Sequence, residues 1–197
     1  SAFNNPINNS LRFRSSASAY LNRTFATGNR RTFTWSGWLK RGSLTGNQAI
    51  MSPYTNATGS GTYGVLRFVD GSIEFLDYTN GTYNAYFYTS SSQYTFRDPS
   101  AWYHVVLATD TTQATASNRV LMWVNNVLQT FQAPTYPTQN FQFLYFNTTV
   151  SHCIGNYYSG ASAPLDACMA EFNYIDGQYL TPTSFGQLDP NSGVWSP

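Results

Sequence analysis

Cleaving a glycosidic bond on a β scaffold takes two carboxylates that face each other across the bond. This chain carries nine acidic residues, of which Glu74 and Glu171 are the glutamates. Glu74 and Asp77 lie three apart in a strand-like stretch, so they point to opposite faces. Glu171 and Asp176, five apart, alternate in the same way. Asp70 and Glu74 share a face by spacing, but Asp70 precedes Gly71 and reads as a turn residue. No working carboxylate pair is expected.

Other reactive groups are sparse. His104 and His152 each sit among apolar neighbours in strand-like segments, and no Asp or His clusters around them. Structural histidines with satisfied ring nitrogens are expected. There is no Gly-x-Ser-x-Gly elbow and no glycine-rich loop opening a helix. Asp70, Asp77, Asp110 and Asp166 fall at or near turns with Asn close by, so Ca2+ is the one ion to keep in view. Turn chemistry is the plainer reading of those four, and no other cofactor is implied. Cys153 and Cys168 are too few for a disulfide framework or a zinc site. A bridge across neighbouring strands and two free thiols both fit the sequence.

The aromatic residues remain. In Tyr83-Asn84-Ala85-Tyr86-Phe87-Tyr88, strict alternation puts Tyr83 with Phe87 on one face and Tyr86 with Tyr88 on the other. Only one face can enter a core, so the other shows rings to solvent or a partner. Such rings stack on sugars and also suit protein contacts. Tyr157 and Tyr158, in a Gly/Ser-rich loop, are expected to do the same. The candidate binding residues are Tyr83, Tyr86, Tyr88, Tyr157 and Tyr158. A strand packed on both faces, or a subunit interface, is the plainer alternative.

Composition narrows the setting. Aromatics make up 17% and charged residues only 10% of the chain, against about 25% charged in an ordinary globular protein. The net charge is +1, which leaves no basic field for nucleic acid. No apolar run approaches the ~18 residues of a membrane span. Asn-x-Ser/Thr triplets occur at Asn8, Asn22, Asn56, Asn80 and Asn147, and a chain this rich in Asn, Ser and Thr yields them by composition.

Strand signals dominate, and no sustained helical stripe exists. Strands are expected at Leu11–Arg14, Tyr20–Leu21, Thr32–Lys40, Trp102–Thr109, Phe141–Phe146, His152–Gly155 and Met169–Ile175. A short one, Ala49–Met51, lies inside a loop from Ser43 to Thr62. Asp70-Gly71 and Asn80-Gly81 supply the positive φ angles of tight hairpin turns. They link Val65–Val69, Ile73–Tyr78 and Tyr83–Thr89 into a meander, and Asn125-Asn126 marks a third hairpin. Many short strands imply a two-layer antiparallel β-sandwich. One domain over residues 1–197 is expected. Residues 180–197 read as an irregular exit segment with a helical turn near Pro182.

Several segments resemble laminin-G-like, concanavalin-A-like jelly-roll domains. Thr32 to Lys40 (Thr-Phe-Thr-Trp-Ser-Gly-Trp-Leu-Lys) is similar to their opening strand. Trp102-Tyr103-His104-Val105-Val106 resembles the family's Trp-x-His-Val strand, and Arg119 to Leu128 its Leu-Tyr-Val-Asn-Gly hairpin. Cys153-Ile154-Gly155 and Ala170 to Leu180 follow in the family's order. A narrower likeness, at Ser10–Phe13, Trp35–Gly42 and Ile175–Gly186, is to the version in tailed-phage virion proteins, especially of marine phages.

That likeness implies a non-catalytic structural or interaction module on a phage particle, as a capsid decoration or tail appendage. Its partners would be other virion proteins or further copies of itself. The alternative implied by the same family is a lectin-like adhesin module for host-surface carbohydrate. A glycoside hydrolase is the third reading. The family's hydrolase branch carries Glu-x-Asp-x-x-Glu, a string absent here, so catalysis is not carried over.

Overall fold

The computed structural model describes residues 7–54, 61–89, 96–157 and 162–197. The strands are β1 (Leu11–Phe13), β2 (Leu21–Thr24), β3 (Thr32–Arg41), β4 (Asn47–Tyr54), β5 (Tyr63–Val69), β6 (Ser72–Thr79) and β7 (Thr82–Tyr88). They continue with β8 (Tyr103–Asp110), β9 (Val120–Val124), β10 (Val127–Leu128), β11 (Ser151–Ile154), β12 (Ala167–Asp176), β13 (Gln187–Leu188) and β14 (Trp195–Ser196). Sheet I runs β1-β12-β3-β8-β9-β10, and sheet II runs β2-β11-β4-β5-β6-β7. Every pairing is antiparallel, and the two sheets form the expected sandwich. No helix among the described residues is long and apolar enough to cross a membrane.

The turns follow from their residues. Asp70, Asn80, Asn125 and Asn126 all take positive φ, and Gly81 joins Asn80 at +89°. Those conformations match the right-handed twist of the strands they join. Alternation then sends one face of each strand inward. Phe33, Trp35 and Leu39 of β3 meet Phe68 of β5, Phe75 of β6 and Phe87 of β7 in one buried cluster. Gly155, at φ +86°, lies where a Cβ would run into the Phe13 ring, so this close approach needs glycine.

Some expected elements differ. Phe141–Phe146 is not a strand. Its chain is turned at Asn140 and Asn147, both at positive φ, and it drops two rings between the sheets. Phe143 packs 5.3 Å from Phe33 and 5.6 Å from Phe75, and Phe146 packs 5.1 Å from Phe75. The segment's apolar content therefore serves as a plug. Strand β4 is longer than the three residues expected, at eight. Cys153 in sheet II and Cys168 in sheet I are both free, so the cross-strand bridge is not formed. The free edge of β7 is met by the following chain, through bridges Tyr86–Thr135 and Thr89–Phe131.

The C-terminal segment lies on the outer face of sheet I. Gln178 accepts a hydrogen bond from the Thr34 hydroxyl at 2.7 Å, and Leu180 N–H donates back to it at 2.9 Å. A 3-10 turn over Pro182–Ser184 and the β13–β14 pair follow. Trp195 donates its indole N–H to Nδ1 of His104 at 2.9 Å. The His104 ring is stacked on Trp38 at 4.8 Å, with the Trp195 ring nearly coplanar at its edge. Because Nδ1 accepts, Nε2 carries the proton and faces Ser36 Oγ at 2.9 Å. Burial holds His104 down to about 4, and His152, between Val150 and Asn147, is likewise at about 4 through burial. Both are structural, satisfied imidazoles.

A folded value below the ordinary ~6.5 means that the unfolded chain takes up protons first. The stability is intact above about pH 6.5 and is lost as pH falls toward 4, by up to about 3 kcal/mol for each ring. Denaturant titration at stepped pH is therefore expected to show the advantage of wild type over His104→Gln shrinking between pH 6.5 and 4. A gap that stays constant would contradict the buried neutral assignment.

Candidate functional site

The outer face of sheet II is built from β5, β6 and β7. Alternation puts Tyr63, Val65 and Arg67 of β5 on it, with Glu74, Leu76 and Tyr78 of β6 opposite them. Val65 and Leu76 form a small buried cluster with Ala49 and Tyr157, under Tyr63, Tyr78 and Tyr86. Strict alternation on β7 would turn Tyr83 away from this face. The structure instead shifts register between Asp77 and Tyr78, which leaves Asn84 as an extra residue in β7. Tyr83 thereby joins Tyr86, with ring centroids 4.7 Å apart, and parts company with Phe87, which is fully buried. The expected pairing of Tyr83 with Phe87 is corrected by this bulge.

The rings form a continuous series. Tyr157 to Tyr63 is 5.7 Å, Tyr63 to Tyr78 5.4 Å, and Tyr78 to Tyr83 4.9 Å. All these contacts are tilted or edge-on, the arrangement that ring quadrupoles favour. Tyr83 is the most open, with 43% of its surface exposed. Tyr88, paired with Glu74 across the sheet, is half-buried. Tyr157 is not a free loop ring, because it is buried at the far end of the series. Tyr158 lies outside the described residues. Tyr63 and Tyr78 belong to the site although the sequence reading did not single them out. Their odd–even match to Val65 and Leu76 was the available signal.

A polar network sits beside the rings. Arg67 Nε donates to Glu74 Oε2 at 2.5 Å, with both side chains mostly buried. The Tyr86 hydroxyl, hydrogen-bonded to Glu74, is pushed up to about 12 by burial first and by the carboxylate charge second. Tyr86 therefore stays a neutral donor at physiological pH. Asp77 points the other way, into the interior, and is fully buried. Burial raises its pKa, while bonds from Asn84 Nδ2 (2.9 Å) and the Leu144 N–H (3.0 Å) favour the charged form. Glu74 and Asp77 thus lie on opposite faces, as their spacing requires.

The other turn aspartates are engaged by protein donors. Asp70 accepts from Gly46 N–H, Asp110 from Thr112 and Gln113, and Asp166 from Ser15 and Arg12. Among the described residues, no three His, Cys, Asp or Glu gather as a metal cluster. Glu171 and Asp176 are separated by a register shift in β12, and Asp176 is bonded to Asn29 and Asn147. What sheet II offers is a ring surface with one buried carboxylate–guanidinium pair at its side. Rings of this kind stack on the apolar faces of pyranoses, and the neighbouring polar groups exchange hydrogen bonds with hydroxyls.

No family model and no curated protein sequence matches the chain. Solved structures do. The carbohydrate-binding domain CBM40 of a Ruminococcus gnavus sialidase, bound to α2,3-sialyllactose, is similar with a TM-score of 0.57 at 13% identity. The match covers 85% of this chain and 96% of that one. Domain 4 of an extracellular arabinanase from Geobacillus stearothermophilus, in complex with arabinotriose, gives 0.54 at 16% identity, over 81% and 66% of the two chains. The receptor-binding domain of a botulinum neurotoxin C/D mosaic gives 0.59 at 14% identity, over 93% of this chain and 43% of that one. At such identities the likeness is one of fold.

Asp77 holds the bulge and the Phe143–Phe146 plug to one carboxylate. Asp77→Ala is expected to cost about 3 kcal/mol in denaturant unfolding, as loss of a buried hydrogen-bonded charge does. Its fluorescence or NMR signature should show Tyr83 displaced from Tyr86. A loss below about 1 kcal/mol would count against this role.

Proposed function

We propose that this chain is a non-catalytic carbohydrate-binding module, with the tyrosine series on sheet II as its glycan platform. One observation carries the reading. The outer face of sheet I is covered by the chain's own C-terminal segment, whereas sheet II presents contiguous tyrosine rings beside Arg67 and Glu74. The similar folds, one in complex with arabinotriose and one bound to sialyllactose, support it. Tyr83 and Tyr78 supply stacking surface, and Tyr86 supplies a neutral hydroxyl. With Glu74 alone on this face and Asp77 turned inward, the platform lacks the opposed carboxylates that hydrolysis needs.

The virion reading attaches to the other half of the sandwich. The segments that resemble tailed-phage proteins are β1, β3 and the run from β12 into the C-terminal segment, and β1, β12 and β3 are neighbours in sheet I. Docking through sheet I and glycan capture through sheet II would together make a host-attachment appendage.

A glycan array probed with the purified chain tests the proposal. Saturable binding to a defined glycan class is expected. Tyr83→Ala should weaken it about fivefold, and the Tyr83→Ala/Tyr86→Ala double variant further, in line with about 1 kcal/mol per stacking ring. Binding that survives both changes would move the site elsewhere, and a blank array would remove the reading.

A further inference from the structure

A cavity of about 690 Å³ lies between the outer face of sheet I and the C-terminal segment. Ser36, Trp38 and His104 form its sheet wall, Glu171 enters from β12, and Phe185 and Gln187 come from the C-terminal segment. Its size falls within the range of small-ligand sites. Three features separate it from a packing defect.

The first is Ser36, which is 1% exposed. The Trp195 indole can only donate, so it locks His104 with its proton on Nε2. Ser36 Oγ must then accept from His104, which leaves its own hydroxyl hydrogen without an acceptor among the described residues. The same lock denies His104 the role of general base toward Ser36. The second is Trp38, also in this wall, whose Nε1–H is buried and has no acceptor among the described residues. Buried donors are rarely left unmade, because the lost hydration is not repaid.

The third is Glu171. It sits in the β12 bulge, where Glu171 and Phe172 oppose Gly37 of β3. Its φ of +49° is a left-handed conformation that a glutamate adopts only against steric strain. Bulges re-aim side chains, and this one places Glu171 at the cavity. No lysine or arginine lines the cavity.

We infer that this cavity is a second binding site, for a neutral sugar of one or two rings. Ser36 donates to a ring or hydroxyl oxygen. Glu171 accepts from sugar hydroxyls, and its uncompensated charge turns away anionic sugars. The site is independent of the tyrosine face, on the opposite sheet.

Saturation-transfer NMR of the intact chain with D-glucose, D-galactose and N-acetyl-D-glucosamine tests it. At least one sugar is expected to give a saturable signal. Glu171→Gln should weaken that binding at least tenfold with the unfolding midpoint preserved, and Ser36→Ala should weaken it too. Tyr83→Ala/Tyr86→Ala should leave it unchanged. No signal from any of the three sugars overturns the inference. So does binding that tolerates Glu171→Gln, and a signal lost only in the tyrosine double variant assigns the sugar to sheet II instead.

Discussion

The fully buried carboxylate of Asp77 ties the β6–β7 pair to a segment that shares no sheet pairing with it. One oxygen takes the side-chain amide of Asn84, the extra residue of the β7 bulge. The other takes the backbone N–H of Leu144, within the segment that carries Phe143 and Phe146 between the sheets. A charge this deep is tolerated only when its oxygens are met by donors. The consequence reaches both sides of sheet II. Inside, it anchors the aromatic plug against Phe33 and Phe75. Outside, it stabilises the register shift that brings Tyr83 beside Tyr78 and Tyr86. The platform therefore depends on a group that never touches its surface.

The two sheets then diverge in use. Sheet I has its outer face occupied by the C-terminal segment, pinned at Thr34 and again at His104. Sheet II keeps its face for rings that hold one another. Because each tyrosine leans on the next, the rings have little rotamer freedom.

Much of this was legible before folding. Asp70, Asn80 and Asn125-Asn126 announced tight turns because few residues accept their positive φ, and β5 and β6 alternate as read. The two histidines read as structural and are so. What escaped notice depends on distant partners. The bulge at Asn84 is invisible locally, since nothing in Tyr-Asn-Ala reveals that the amide will reach Asp77. Phe141 to Phe146 has strand composition, but its rings answer to Phe33 and Phe75, far away in sequence. Tyr157 looked open in its Gly/Ser-rich surroundings and is instead covered through Tyr63. The C-terminal segment reads as irregular because its order comes from Thr34 and His104 rather than from its own periodicity.

The chain that meets β7 through Thr135 and Phe131 has a colloidal consequence. A protein with so few charges has little electrostatic repulsion to keep copies apart. An open, tyrosine-rich edge strand would template pairing with the next molecule. Here the hydrogen-bonding groups at those positions are already taken by the chain's own loop. The β7 edge is thus withheld from edge-to-edge pairing with another copy of the chain.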